Sequence, residues 1–341
     1  MSFRVANVRL AHSLARRRPR HCPNLLKKKF SSASEHEGLQ DIDYGDYSLI
    51  LHPEHRIQGV KHIPRRSVPT HINCPPYASD PNRNTHAGSD TQQEAIISLG
   101  SEDETRLRSA AKLAAATLRF AGGLIRPGIT TDAIDERIHR FIVENNAYPS
   151  PLDYLGFPKS CCTSVNNIVA HGIPDDRELE PGDIINVDVT VYLDGYHGDT
   201  SRTFLVEDVD DQGKELVGVT QEALELAIGI CGPDVPFKRI GEYIDKFVRA
   251  REMSVVRALT GHGIGREFHC RPWIVHHGNE EPGVMKVGHC FTIEPAIIQG
   301  SNPSVWEFLD GWTVATESGA RSAQAEHMVL ITKNGAEVLT R

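Results

Sequence analysis

The chain has 341 residues, 39% of them hydrophobic, and a net charge of -8, yet residues 1–34 hold nine Lys or Arg and no acid, which leaves -17 for residues 35–341. This acidic body excludes nucleic-acid binding by the core, which needs a basic face, and no hydrophobic run is long enough to span a membrane as a helix. The seven cysteines form no C-x-x-C pair, which excludes a structural zinc module and indicates reduced thiols in an intracellular compartment.

Residues 1–34 have the composition of a targeting presequence. They are rich in Arg and Ser, and they space Val5, Val8, Leu10 and Leu14 so that much of this set shares one helix face. We therefore predict a mitochondrial matrix protein, with a plastid or the cytoplasm as alternatives. A basic tail that binds RNA or ribosomes is the competing interpretation.

Residues 35–100 show little periodicity and are predicted to be an extended N-terminal arm. The stretch "PRRSVPTHINCPPYASDPNRNTH" is too rich in Pro, Asn and Ser to indicate a packed element. We expect the arm to lie over the surface, and contacts with a partner are the alternative role.

Residues 101–341 read as one folded domain. Ser101 and Glu104 form a capping box at the start of a helix that ends at Gly122-Gly123, and a second helix starts at Thr131. Strand-like segments follow over residues 158–206. A third helix is predicted over Glu215–Ile230, a fourth after Pro236, and strands from Val255 onward. The apolar residues predicted to face inward are Leu107, Ala111, Ala114, Leu118, Ile134, Ile138, Phe141, Ile142, Ile240, Ile244 and Phe247.

The order helix–helix–strands occurs twice, which predicts an α/β (α+β) fold with two related halves. The helices of both halves would pack against a curved, mainly antiparallel sheet. A cleft between the halves is a natural place for a binding site.

The segment "DIINVDVTVYLDGYHGDTSRTFLV" predicts a β-hairpin, because Asp194-Gly195 is a two-residue turn signal between alternating strands. In that register Thr190 faces Asp199, and Asp188 lies diagonally beside it on the same face, about 7–8 Å from Asp199. Two buried aspartates on one face are costly unless a cation neutralises them. A solvent-facing pair on an exposed strand is the alternative.

Three further segments place ionisable side chains among glycines or apolar residues. His262 lies between glycines in "GHGIGREFH", with His269 seven residues later, and glycines allow close backbone approach. Glu294 ends a short apolar strand in "CFTIEP", and Glu326 is predicted within a strand, in line with apolar side chains, in "SAQAEHMVLIT". Taken singly, a salt bridge explains each carboxylate equally well, and a hydrogen-bonded core position explains each histidine.

Together these residues indicate a metal centre. Two Asp, one His and two Glu form an oxygen-rich donor set that suits a pair of divalent ions such as Mn, Fe, Co or Zn. Two ions that share a water lower its pKa and polarise a carbonyl, which is chemistry for amide hydrolysis. His171, on a turn in "NNIVAHGIPDD", is a candidate proton donor or carbonyl ligand, and a loop histidine without a role is the alternative.

With these residues in view, the chain resembles the type 1 methionine aminopeptidases from about residue 101 to its end. The presequence and the "VPTHI…PPYA" arm make it most similar to the mitochondrial member, since it lacks the zinc-binding cysteine modules of the cytosolic enzymes. The segments that carry the resemblance are "YPSPLDYLGFPKSCCTSVNNIVAHGIPDD", "NVDVTVYLDGYHGDTSRTFLV", "GHGIGREFH", "FTIEP" and "DGWTV…RSAQAEHMVLIT".

The resemblance implies a pita-bread fold with pseudo-twofold halves and removal of the initiator methionine from nascent or newly made polypeptides, with a preference for a small second residue. Nascent chains near the ribosome are a further candidate substrate. In the metal site that it implies, Asp188 binds one ion, Asp199 and Glu326 bridge both, and His262 and Glu294 complete the other ion's ligands. A hydroxide activated by the two ions would attack the carbonyl of the first residue.

The same resemblance implies roles for residues around the metals. His269 would contact the substrate amide and stabilise the tetrahedral intermediate, and His171 would assist proton transfer at the scissile nitrogen. Three positions depart from the family pattern without being metal ligands, namely Asp153, Cys270 and Ala296. The methionine pocket would be lined by Tyr154, Phe157, Cys162, Phe268 and Trp312.

Two other functions fit parts of the pattern. A prolidase or aminopeptidase P acting on Xaa-Pro bonds would share the metal ligands, but residues 35–100 are too short and irregular for the large N-terminal domain of those enzymes. A noncatalytic binding protein with this fold would be expected to have lost ligands, and all five are present.

Overall fold

The computed structural model describes residues 43–51, 63, 65–79 and 94–341. The predicted presequence, residues 1–34, lies outside the described residues, and so does part of the predicted arm. In the part of the chain that is described, no helix is both long and apolar enough to cross a membrane.

Two helices open the first half of the fold. Helix α1 is a single turn in the arm, Pro76–Ser79, and α2 (Glu102–Gly122) and α3 (Thr131–Glu144) follow it. Ser101 caps α2 as predicted, since its hydroxyl accepts from the Glu104 N–H at 3.2 Å. The Glu104 carboxylate accepts from the Gly100 N–H, whereas a capping box would use the N–H of the next residue, Ser101.

The strands of the first half follow these helices and form a hairpin with short partners. The predicted turn is confirmed, because Asp194 and Gly195 both have positive φ, at 50° and 87°, as a two-residue hairpin loop requires. The strands are β1 (Tyr148–Pro149), β2 (Cys162–Val165), β3 (Ile168–Ala170), β4 (Ile184–Leu193) and β5 (Tyr196–Leu205).

The second half repeats this order. Helix α4 (Asp211–Gly229) starts four residues before the predicted start because the Asp210 carboxylate accepts from the Gly213 N–H and caps it. Helix α5 is Lys238–Arg249. The strands are β6 (Met253–Val255), β7 (Thr260–Gly263), β8 (Cys270–Val275), β9 (Cys290–Ile293), β10 (Ala296–Gln299), β11 (Val305–Glu307), β12 (Val314–Thr316), β13 (Ser322–Gln324), β14 (His327–Thr332) and β15 (Gly335–Val338).

The named strands pair antiparallel in four sheets, in the orders β1-β4-β2 with β5 beside β4, β13-β10-β6, β11-β12-β3, and β15-β14-β9-β7-β8. An antiparallel bridge between Arg202 and Ala325 joins β5 to the residues between β13 and β14. Helices α2 and α3 share a hydrophobic core with β4, and α4 and α5 share another with β9 and β10. The two halves therefore meet where β5 lies against the last strands of the chain.

One predicted inward position is wrong. Phe141 is half-buried and stacks on the exposed Phe120 with ring centroids 4.7 Å apart. Phe247 is half-buried but packs against the core of the second half, as predicted, and the guanidinium of Arg251 lies 3.7 Å from its ring centroid. Neighbouring elements decide which positions of a helix face the core, so the simple pattern of 3.6 residues per turn misplaces Phe141.

Candidate metal centre

The β4–β5 hairpin brings the two aspartates to one face in the predicted register. Thr190 is the partner of Asp199, and Asp188 is the partner of Ser201, two positions along the ladder. Asp199 is buried, and its Oδ1 accepts from the Thr190 hydroxyl at 2.7 Å. This hydrogen bond fixes one carboxylate oxygen and leaves Oδ2 to face the interior of the site.

His262 lies on β7, where glycines permit the close packing of three strands. A Cβ on Gly263 would lie 2.1 Å from the Arg271 carbonyl oxygen, and one on Gly261 would lie 2.4 Å from that of Thr292. The Nδ1 atom of His262 is 3.2 Å from the Gly263 carbonyl oxygen, which only accepts, so Nδ1 carries the proton. The lone pair of the ring is therefore on Nε2.

Glu294 follows β9 and is held on both carboxylate oxygens. Its Oε1 accepts from the Thr292 hydroxyl at 2.7 Å, and its Oε2 accepts from the Gln324 amide at 3.3 Å. The backbone N–H of Glu294 donates to Nε2 of the buried His276 at 3.0 Å. These contacts aim the carboxylate at His262, whose Nε2 is 3.5 Å from Oε1.

Glu326 was predicted inside a strand, and this placement is wrong. Strand β14 begins one residue later, at His327. The backbone of Glu326 instead bonds to β5, since its N–H donates to the Ser201 carbonyl at 3.0 Å and its carbonyl accepts from the Thr200 hydroxyl at 2.9 Å. Glu326 thus lies at the junction of the two halves, where its buried carboxylate faces the hairpin aspartates.

Four carboxylates and one imidazole meet at this junction. Ligand atoms of Asp199, His262 and Glu326 all lie within 4.8 Å of one another, and Nε2 of His262 is 3.6 Å from Oδ2 of Asp199. Burial raises the pKa of the four carboxyl groups, and the charge of Asp188 raises it further at the other three. The five predicted ligands are therefore neighbours.

The donor atoms of this cluster are buried without a basic partner. Burial lowers the pKa of His262 to about 4, so its ring is neutral at pH 7, and its Nε2 lies 3.6 Å from Asp199 Oδ2 and 3.5 Å from Glu294 Oε1. Across residues 43–51, 65–79 and 94–341, no Lys or Arg forms an ion pair with the four carboxyl groups. Divalent cations would compensate the charge of these carboxyl groups, and oxygen ligands with one imidazole suit such ions, so the residues fit a metal centre.

The predicted pocket residues border the cluster in two groups. Tyr154 and Phe268 pack with ring centroids 4.8 Å apart, and the Tyr154 hydroxyl is 2.8 Å from Nδ1 of His269. Phe157 meets Trp312 edge-on, with centroids 5.1 Å apart, and Trp312 in turn meets His171 at 6.3 Å. These aromatic groups form walls beside the two predicted non-ligand histidines.

Cys162 lies next to the metal ligands, as the β2 partner of Asp188. His171 follows β3 with a left-handed backbone, at φ 56°, and so lies on the predicted turn at a strand end. Burial lowers the pKa of His171 to about 4, and burial together with neighbouring histidines lowers that of His269 well below its ordinary value. Both imidazoles are therefore neutral at pH 7.

Residues 105–333, about two thirds of the chain, match the family model of metallopeptidase family M24. The chain belongs to metallopeptidase family M24. This M24 chain is 47% identical over 331 residues to methionine aminopeptidase 1D, chloroplastic/mitochondrial, of Arabidopsis thaliana, which covers 94% of this chain and 89% of the plant protein. It is 41% identical over 327 residues to methionine aminopeptidase 1D, mitochondrial, of Dictyostelium discoideum. This alignment covers 93% of this chain and 78% of the Dictyostelium protein.

Solved structures agree with this family. The crystal structure of methionine aminopeptidase from Rickettsia prowazekii matches with a TM-score of 0.71 and 44% identity, over 73% of this chain and 100% of that one. Prolidase from Pyrococcus furiosus matches with a TM-score of 0.57 at 21% identity, which shows the shared fold alone. The predicted resemblance and the α/β pita-bread fold are confirmed.

Several residues of the M24 site were missed by the sequence reasoning. Thr292 and Gln324 orient the carboxyl group of Glu294, and His276 binds its backbone, whereas Thr190 was already predicted to face Asp199. Thr292 could have been found, because it lies two residues before Glu294 and so on the same strand face. The role of His276 has no local signal, since it acts across 18 residues of chain.

Proposed function

We propose that this M24 chain is a methionine aminopeptidase that removes the N-terminal initiator methionine from polypeptides and prefers a small second residue. The observation that carries the proposal is the buried cluster in which a neutral imidazole lone pair faces carboxylates. The identity of 47% with a methionine aminopeptidase over nearly the whole chain supports the choice of substrate.

The proposed cofactor is a pair of divalent ions, Co, Mn, Fe or Zn. Asp188, Asp199, His262, Glu294 and Glu326 would hold them. When bound, such ions acidify a shared water and polarise the carbonyl of the scissile bond. The free amino group of a substrate would also reach this centre, which limits cleavage to one residue.

The two neutral histidines beside the cluster would then act on the substrate. A hydrogen bond from the Tyr154 hydroxyl to Nδ1 of His269 would leave the proton of that ring on Nε2, available to the substrate carbonyl oxygen as charge develops there. His171, neutral at pH 7, would hydrogen-bond to the scissile nitrogen and assist proton transfer there. Tyr154, Phe157, Cys162, Phe268 and Trp312 would enclose the methionine side chain, whose flexible thioether suits aromatic and sulfur contacts.

The test is hydrolysis of Met-Ala-Ser and Met-Leu-Ser by the metal-depleted protein after addition of Mn, Fe, Co or Zn. We expect methionine to be released from Met-Ala-Ser with strict dependence on metal, and more slowly from Met-Leu-Ser. Hydrolysis of an Ala-Pro dipeptide without methionine release would favour the Xaa-Pro peptidase instead. Metal binding without hydrolysis of either substrate would favour a noncatalytic binding protein.

We also propose that residues 1–34 direct the chain to the mitochondrial matrix, with a plastid as the alternative. The basic, acid-free composition supports this, and so do the mitochondrial and chloroplastic names of the two relatives. Residues 1–34 fused to a fluorescent protein should be imported and shortened in mitochondria. Cytoplasmic fluorescence at full length would overturn the proposal.

A further inference from the structure

Tyr77 belongs to the N-terminal segment 65–79, yet its ring lies in the wall of the candidate site. The side chain is buried, and its hydroxyl donates to the Ser150 carbonyl at 2.6 Å. Its ring meets Tyr154 edge-on, with centroids 5.0 Å apart. Segment 65–79 therefore contributes a side chain directly behind the residue that contacts His269.

The turn that carries Tyr154 depends on such support. Asp153 and Leu155, on either side of it, have left-handed backbones with φ of 69° and 51°. A non-glycine residue is strained in this region and persists there when its surroundings hold it. Two of those surroundings come from segment 65–79, since Arg65 pairs with Asp153 and Tyr77 packs on Tyr154.

Tyr77 also touches a ring on the hairpin side of the site. It stacks against His197 with centroids 6.4 Å apart, and His197 stacks on Phe268 at 5.2 Å. Ser150 is bonded to both, through its carbonyl to Tyr77 and through its hydroxyl to Nδ1 of His197 at 2.9 Å. Tyr77, Tyr154, Phe268 and His197 thus form a cluster of four rings in mutual contact, and Phe268 directly precedes His269.

We propose that Tyr77 is a positioning residue, whose ring holds Tyr154 in the orientation that keeps the phenol bonded to His269. This inference rests on the proposed function, because His269 is there assigned to the substrate carbonyl. Loss of the Tyr77 ring would leave a void beside Tyr154. The Tyr154 ring would then move into that void, and His269 would lose the partner that fixes its tautomer and its plane.

The first test compares Tyr77→Ala and Tyr77→Phe in the full chain, with Met-Ala-Ser as substrate. Phe keeps the ring, so its kcat should stay within about twofold of wild type, whereas Ala should lower kcat by about tenfold to 100-fold with a smaller change in KM. The matched control is Tyr47→Ala, which removes another N-terminal tyrosine that donates to a backbone carbonyl, at Gly319. Tyr47 packs under Arg321 and should leave kcat unchanged.

The second test asks whether Tyr77 acts through Tyr154. If it does, Tyr77→Ala should lower kcat no further in a Tyr154→Phe background, because the phenol is already absent there. In metal-free protein with 15N-labelled histidine, Tyr77→Ala should shift the Nδ1 resonance of His269 as far as Tyr154→Phe does. If the Ala variant does not fold, Tyr77→Leu replaces it in both measurements.

The outcomes separate this inference from the proposed function. Full kcat in Tyr77→Ala, independent effects in the double variant, or a wild-type His269 resonance would each overturn the positioning role. Wild-type protein that releases no methionine with any of the four metals would overturn the proposed function instead. The His269 resonance would still decide whether Tyr77 holds Tyr154.

Discussion

At the scale of single residues, the site is made by side chains that have no choice of partner. His262 must donate from Nδ1 to a carbonyl, so Nε2 has a lone pair, and the hydroxyls of Thr190 and Thr292 donate to one oxygen each of Asp199 and Glu294. Asp199 Oδ2 and Glu294 Oε1 then lie 3.6 Å and 3.5 Å from Nε2 of His262. The arrangement prepares the residues for a cation before any cation binds.

Glu294→Gln tests this arrangement with almost no change of shape. The variant removes one charge and one ligand oxygen, so we expect kcat to fall by about 100-fold or more and the bound metal per chain to decrease, since even partners of metal ligands affect activity 10–100-fold. Glu307→Gln is the control. Burial also raises the pKa of that carboxyl, to about 7, but Glu307 lies on β11 outside the cluster. Near-normal turnover and metal content in Glu294→Gln would remove it from the ligand set.

His139 gives a pH dependence that is independent of the metal site. Its Nε2 donates to the Ser67 carbonyl at 3.1 Å, and in the neutral ring its Nδ1 accepts from the Ser160 hydroxyl at 2.8 Å. Burial lowers its pKa below the ordinary 6.5. Below pH 6.5 the unfolded chain therefore binds a proton that the folded chain does not. The free energy of unfolding consequently decreases as the pH is lowered.

Substitution of this histidine should remove part of that pH dependence. Between pH 7 and pH 5, His139→Gln should lose less of its free energy of unfolding than wild type loses. Urea unfolding at the two pH values measures the difference. Parallel losses in the two proteins would mean that His139 titrates equally in the folded and unfolded chains.

At the scale of elements, helix α2 and strand β5 pack so closely that the site depends on one glycine. A Cβ on Gly198 would lie 2.4 Å from the carbonyl carbon and oxygen of Ala110 in α2. Gly198 also precedes Asp199, so a shift of β5 away from the helix would displace a ligand. Helix packing and the metal centre are thereby linked through the backbone of one strand.

Replacing glycine with alanine at two positions should accordingly change the stability of the fold in opposite directions. Gly198→Ala should destabilise the fold by about 1–3 kcal/mol through overpacking. Gly218→Ala, within α4 and with no atom within 4 Å of its added Cβ, should stabilise it by about 0.5–1 kcal/mol because glycine loses more entropy in a helix. Thermal unfolding measures both, and a neutral Gly198→Ala would show that α2 can move.

At the scale of the whole molecule, the metal centre is where the two halves join. The first half supplies Asp188 and Asp199, and the second supplies His262, Glu294 and Glu326. Without cations, four buried carboxyl groups repel one another across this junction. Metal ions held by these residues would therefore link the two halves.

Metal removal should consequently lower stability in a pH-dependent way. The pKa of each carboxyl group is raised in the folded state, so the folded chain holds protons that the unfolded chain releases. The stability of the metal-free protein therefore declines as the pH rises above about 4, the ordinary pKa of a carboxyl group. Chelator-treated protein should melt lower than metal-loaded protein, and the gap should widen from pH 6 to pH 8. Asp188→Asn should raise the melting temperature of the metal-free protein and lower that of the loaded protein. Equal melting of the loaded and chelated wild type would contradict this.

Local pattern predicted much of the fold and most of the candidate ligands. Alternation along β4 and β5 and the Asp194-Gly195 turn fixed the hairpin register, so Thr190 and Asp199 pair as expected. Errors arose where a distant element decides orientation. Phe141 stacks on the exposed Phe120 instead of facing the core, and Glu326 bonds to β5 instead of entering β14.

The amino-acid sequence alone determined which segments are helices and strands, because these follow from periodicity and turn residues within about ten positions. It also determined the chemical character of the site, since the ligand side chains stand in recognisable segments. Only the tertiary structure decided that the Nε2 lone pair of His262 faces two carboxylates, and that Tyr77 of an irregular segment packs behind Tyr154. The physical reason is that burial and hydrogen bonding at these positions depend on segments far apart in the chain, about which no local pattern carries information.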